Sequence, residues 1–191
     1  MNVAGFALAL VLAVVVLGLA FVVLSTYNDI VGLAQRIDKA WANIDVALKQ
    51  RFDELPNLVE AMRGLMGFEQ SVLERVTQAR AGYRPDAPIP QQAATSEQTT
   101  GAVKSLLAVV EHYPDLTAHE NVMALQAEIA RLEGIIADRR ELYNDMVYRY
   151  DARIQQVPAV LLASLFGWRP RPYFKADPAH TAVPDATLTP G

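Results

Sequence analysis

Residues Val3 to Leu24 form 22 consecutive positions without a charged side chain, and that run constrains the rest of the chain more than any other feature. As a helix it extends about 33 Å, just past the hydrocarbon thickness of a bilayer. Fifteen of its residues are Val, Leu or Phe. Each favours insertion into lipid by a few tenths of a kcal/mol, so together they contribute about −5 to −8 kcal/mol. A cleavable signal peptide is the rival reading. It requires a basic start, and Met1-Asn2-Val3 has no cationic side chain. It also requires a short apolar core ending at small residues, whereas Phe21-Val22-Val23-Leu24 follow the only suitable ones. The sequence therefore predicts an uncleaved membrane anchor over 1–26, in contact with membrane lipid.

The 191 residues include 17 Lys or Arg and 21 Asp or Glu, for a formal charge of −4, and all of these follow the anchor. A mildly acidic domain with dispersed cations makes a poor nucleic-acid surface, and that class is set aside. The chain has no Cys, which excludes disulfides, thiolate metal sites and a cysteine nucleophile without fixing a compartment. Arg36 and Lys39 follow the anchor closely and nothing basic precedes it. The positive-inside rule then places the domain in the cytoplasm, with the N-terminus outside. Arg169, Arg171 and Lys175 suit an anionic cytoplasmic leaflet.

Beyond the anchor, Ile30, Ala34, Ile37, Trp41, Ile44, Leu48 and Leu55 follow three-four spacing, one stripe along a helix that can be continuous with the anchor. Leu55-Pro56-Asn57 reads as an interruption and the entry to a second helix, with Val59, Met62, Met66, Val72 or Leu73, Val76 and Ala79 as its stripe. Gly82 to Thr95 holds three prolines and no apolar period, and reads as a loop. Ser96 can cap a third helix with Val103, Leu106, Leu107 and Val110 on its apolar face. Tyr113 to Thr117 reads as a turn. The longest helix is expected over Ala118 to Gln155, with a stripe from Val122 to Ile154.

These patterns predict an all-α fold: an N-terminal transmembrane helix, then an up-down antiparallel four-helix bundle over 27–155. An even number of antiparallel helices returns the chain to its starting side. The segment arriving there, 156–176, includes Val157 to Trp168, which is too apolar for an ordinary soluble helix end. Leu162, Phe166, Trp168 and Tyr173, interleaved with Arg169 and Arg171, have the composition of a membrane-interface anchor. The alternative is that this segment caps the open end of the bundle core. Residues 177–191, with three prolines among them, read as a flexible tail.

The run Ala40-Trp41-Ala42-Asn43-Ile44-Asp45-Val46-Ala47-Leu48-Lys49-Gln50-Arg51-Phe52-Asp53, then Leu55-Pro56-Asn57-Leu58-Val59, resembles the signature of the LemA family of bacterial membrane proteins. Glu69, Val76-Thr77, Ala79-Arg80-Ala81, Tyr113-Pro114-Asp115-Leu116, Leu125-Gln126, Arg139-Arg140, Tyr143-Asn144 and Gly167-Trp168 continue the pattern. The resemblance extends from Tyr27 to Phe174. Trp168 departs mildly, standing where Phe is commoner. The resemblance implies a single-pass anchor and an antiparallel bundle, with no established enzymatic activity, cofactor or ligand.

Three charges fall within the stripes. Arg51 lies between Leu48 and Leu55, Glu69 between Met66 and Val72, and Arg139 between Ile136 and Tyr143. An unpaired charge inside is expensive, so either Glu69 pairs with the arginines across helices and fixes register, or the three side chains reach out to water. Neither arrangement is catalytic, and no phosphate loop, nucleophile elbow or HExxH occurs. His112 and His119, with Glu111, Asp115 and Glu120 nearby, match no established metal spacing; no metal or other cofactor is expected. In the anchor, Gly5, Ala9 and Ala13 form a ridge of small residues suited to self-association. The leading function is a non-enzymatic scaffold or adaptor in membrane or envelope organisation, partnered by itself or another membrane protein. The alternative is a tethered sensor that accepts a ligand or partner helix; no small-molecule substrate is indicated.

Overall fold

A computed structural model of the chain describes residues 3–63, 70–110, 112 and 120–175. The described residues hold five helices and no strand: α1 Val3–Arg63, α2 Gln70–Ala81, α3 Ile89–Val110, α4 Glu120–Ile154 and α5 Ala159–Phe166. The chain divides into two compact units, Met1–Ala40 with Asn144–Arg171, and Trp41–Tyr143 with Pro172–Gly191.

The first unit contains the apolar run of α1, the end of α4, and α5. From Val3 to Leu24 every side chain is exposed except the half-buried Val23. Among the described helices α1 alone is long and apolar enough to cross a membrane. Just past the run, the Ser25 and Thr26 hydroxyls both donate back to the Val22 carbonyl, at 3.1 and 2.7 Å, so these polar groups are satisfied within their own helix. Ile30, Ile37, Ala40, Val147, Tyr150, Ile154 and Ala159 are the buried apolar residues of this unit. Arg153 Nε donates to Asp29 Oδ2 at 2.6 Å, joining α4 to α1. The chain ends α5 at Gly167, whose φ of 69° is left-handed, while the Trp168 N–H closes onto the Ala163 carbonyl at 2.9 Å. A side chain at position 167 would meet strain from its backbone angle rather than from any neighbour.

The second unit is an antiparallel helical bundle, and its cross-helix bonds establish the directions. Asn43 pairs with Arg139 and Gln50 with Glu128, so α1 and α4 run oppositely. Phe52 meets Arg80 and Asp45 meets Tyr83, which opposes α1 to the segment ending α2. Glu97 faces Arg140 and Thr100 faces Glu133, opposing α3 to α4. The core holds Ile44, Leu48, Leu55 and Leu58 from α1, Val76 from α2, Val103, Leu106 and Val110 from α3, and Val122, Ile129, Leu132, Ile136 and Tyr143 from α4. The stripes read from three-four spacing therefore supply this interior.

Helix boundaries depart from the sequence reading in three places. Pro56 does not open a new helix: it sits inside α1, which at 61 residues exceeds the 35 of α4 as the longest element. Pro removes one helical hydrogen bond, to the carbonyl four residues earlier, and here that carbonyl, Phe52 O, accepts from Arg80 Nε at 3.3 Å. The expected loop over Gly82 to Thr95 also ends sooner, because α3 begins at Ile89. The Pro88 carbonyl accepts from the Gln91 and Gln92 N–H groups, at 2.9 and 3.1 Å. Pro90 lies in the first turn, where a missing N–H costs nothing. Gln92 then donates from Nε2 to the Pro85 and Ala87 carbonyls, both at 2.9 Å, tying the preceding turn to the helix. Ser96 is consequently a buried residue inside α3 instead of its cap. The turn expected at Tyr113 to Thr117, Met66 and the tail from 177 onward lie outside the described residues.

Candidate functional site

In the bundle, Arg51 is 0% exposed, the largest fully buried side chain among the described residues. Its position in the apolar stripe of α1 aims the guanidinium between α3 and α4. Nη1 donates to Glu133 Oε1 at 2.7 Å and to Thr100 Oγ1 at 3.0 Å. Nη2 donates to Ser96 Oγ at 2.9 Å and, more weakly, to the Ser96 carbonyl at 3.4 Å. The Thr100 hydroxyl donates onward to Glu133 Oε2 at 2.7 Å, so both carboxylate oxygens are engaged. Nε of Arg51 has no hydrogen-bond partner among the described residues. Burial pulls the guanidinium below its ordinary value, opposed by the charge and hydrogen bond of Glu133. The Arg51 guanidinium also lies 5.1 Å from the centroid of Phe52, and Phe52 stacks on Tyr83 at 4.1 Å.

Glu69 lies outside the described residues, and the acid that Arg51 meets is Glu133. Arg139 is half-buried rather than interior, and its Nη1 donates to the Asn43 carbonyl at 2.5 Å. Glu133 was legible only indirectly: it borders the α4 stripe one place after Leu132, near enough to answer an inward cation. Beside it lies a cleft of about 340 Å³ whose lining includes Thr100, Lys104, Glu133 and Arg140. The network places the Ser96 and Thr100 hydroxyls against a permanently charged guanidinium, which cannot act as their base. Its bonds join α1, α3 and α4. At the end of the bundle, Trp41 contacts Tyr143 edge to face at 5.8 Å and Phe174 at 5.9 Å, while the Tyr143 hydroxyl donates to the Pro172 carbonyl at 2.7 Å.

The residues expected at a membrane interface divide between the two units. In the first, Phe166 and Trp168 stack at 5.1 Å and both contact Tyr27 of α1, at 5.1 and 6.2 Å between centroids. Leu162 is half-buried on α5, and Arg169 and Arg171 are exposed. Arg171 is 3.8 Å from Asp38, and its guanidinium lies 6.0 Å from the centre of the Tyr150 ring. Tyr173 belongs to the second unit, beside the buried Phe174; the chain turns into the bundle core there because Phe174 finds aromatic partners. Tyr27 is the residue sequence reading missed, although an aromatic three positions beyond an apolar run is an interfacial signal. Gly5, Ala9 and Ala13 lie exposed on α1, with open space beside Gly5. His112 Nδ1 is 2.9 Å from the Ala108 carbonyl. His119, Glu111 and Asp115 lie outside the described residues.

Two curated proteins, magnetosome proteins MamQ 2 and MamQ 1 of Paramagnetospirillum magneticum, are each 33% identical to this chain over 78 residues, which is 41% of this chain and 29% of theirs. The chain thus spans well under half the length of these relatives. Residues 40–187 match the LemA family profile. That match contains Arg51 with all its bundle partners and the whole of α5, and the chain belongs to the LemA family.

Proposed function

We propose that this protein is a non-enzymatic, membrane-anchored scaffold or adaptor that organises a membrane region by binding a second copy of itself or another membrane protein. The observation that carries the reading is α1: one helix presents an exposed 22-residue apolar run and then supplies Ile44, Leu48, Arg51 and Leu55 to a bundle core. Such a helix gives a lipid-embedded start to a closed, register-locked domain. The polar groups inside that domain are engaged with one another: the Thr100 hydroxyl and both Glu133 carboxylate oxygens are tied to the Arg51 network. That the relatives are magnetosome proteins by name is compatible with an organising role. Arg36 and Lys39, close after the run with nothing basic before it, support an orientation with the bundle on the cytoplasmic side.

The test is purification of the full-length protein in mild detergent, with quantitative identification of what accompanies it and light scattering of the product. Enrichment of one membrane protein, or a defined oligomer, is expected. A lone monomer with nothing enriched overturns the scaffold reading. The cleft beside Glu133 supports a second reading, a tethered binding module, since about 340 Å³ lies within the range of small-ligand sites. Thermal stabilisation by one class of metabolite, lost in Lys104→Gln and Arg140→Gln, would favour it.

A further inference from the structure

We propose that the first unit carries a binding site for the phosphate of an anionic phospholipid headgroup, with the exposed face of α5 lying in the acyl-chain boundary of the same leaflet. This deepens the membrane-anchored reading and rests on it. The site is a notch of about 400 Å³ whose walls include Ile30, Tyr150, Trp168, Arg169 and Arg171. Ile30 lies about 9 Å along α1 from Leu24, at the outer margin of the polar layer of a bilayer spanned by the apolar run.

The position of α5 is set by contacts within the same unit. Tyr27, three residues beyond the run, holds both Phe166 and Trp168 against α1. From Ile154 to Trp168 the chain has no charged residue. Leu161 and Leu165, one turn apart on α5, are 72% and 75% exposed, and Val157 just ahead of the helix is 75% exposed. A helix with that face in water is unfavourable; at the level of the headgroups the same face meets acyl chains. A lipid occupant therefore accounts for the apolar face and the cationic notch together, which a soluble anion or a partner helix does not.

The notch is suited to phosphate. Arg169 makes no hydrogen bond or ion pair among the described residues, and Arg171 has its closest carboxylate, Asp38, only at 3.8 Å. The neighbouring Asp151 already accepts the Arg171 backbone N–H at 3.1 Å. Two guanidiniums offer forked donors to phosphate oxygens, and the Trp168 indole suits the interfacial layer.

Full-length protein in nanodiscs of mixed phosphatidylcholine and phosphatidylglycerol, followed by native mass spectrometry, reads the lipid retained. Selective retention of phosphatidylglycerol is expected, falling about fivefold for each arginine removed in Arg169→Gln and Arg171→Gln. A fluorophore on Leu165→Cys, unique because the chain has no cysteine, is expected to be quenched by lipids brominated high on the acyl chain. Equal retention of both lipids, retention unchanged in the double variant, or an unquenched label overturns the proposal. Displacement of the lipid by soluble glycerol phosphate marks a free-anion site and overturns it too. Resistance of the same protein to alkaline carbonate is measured separately. A chain that resists carbonate yet shows no lipid selectivity retires the headgroup site and leaves the anchor standing.

Discussion

Arg80 donates from Nε to the Phe52 carbonyl at 3.3 Å, the carbonyl that Pro56 leaves without its helical donor. A proline in a helix interior ordinarily breaks the helix. Here a cation at the end of α2 takes over the missing bond, and α1 continues to Arg63. Arg80→Met is therefore expected to destabilise by about 1 kcal/mol, the net value of one such bond. Pro56→Ala restores the backbone N–H, so the same Arg80 change should cost less than half as much in that background. Denaturant unfolding of the four proteins in detergent measures the coupling; additive effects would sink the compensation.

Glu133 is the counter-charge for a fully buried guanidinium. Glu133→Ala is expected to lower stability by about 3 kcal/mol, because it strands the charge of Arg51. Replacing both partners, Arg51→Leu with Glu133→Leu, should return to within about 1 kcal/mol of the parent, since the desolvation cost disappears with the charge. Melting followed by circular dichroism distinguishes the two cases.

Tyr83 gives the bundle an alkaline limit. Burial first, then the carboxylates of Asp45 and Asp53, push its hydroxyl up to about 12, above the value near 10 of a free phenol. The folded state thus favours the neutral phenol, which also donates to Asp45 Oδ1 at 3.3 Å. Its contribution is complete below about pH 10, and is lost as pH rises through the folded value of about 12. Tyr83→Phe should flatten the fall in stability across that window. Identical pH profiles for the two proteins would remove Tyr83 from this role.

The apolar run of α1 predicts its own sensitivity. Val15→Arg places a charge near the centre of the run and costs about 3 kcal/mol of insertion, so the variant should move measurably from the membrane to the soluble fraction. For the proposed orientation, a cysteine at the exposed position Gln98 should react with an impermeant maleimide only after the cells are opened. Labelling of intact cells would reverse the topology.

Much of the architecture was legible because burial in helices leaves a periodic mark. The Ile30-to-Leu55 and Val122-to-Ile154 stripes supplied core residues, and Arg51 stood out as a cation inside such a stripe. The helix ends were harder. Pro56 and the prolines before Ser96 are punctuation in any local reading, yet Arg80 sustains one helix through its proline and Pro88 starts another.

By itself the sequence determined the membrane-length apolar run, the helical class and the faces that must be hidden, because each depends on composition and spacing along a single helix. Tertiary structure decided which acid answers Arg51, that α1 runs on through Pro56, and that Phe174 joins the bundle while Phe166 and Trp168 join Tyr27. Those outcomes depend on residues far apart in the chain, whose meeting is fixed only when several helices pack at once.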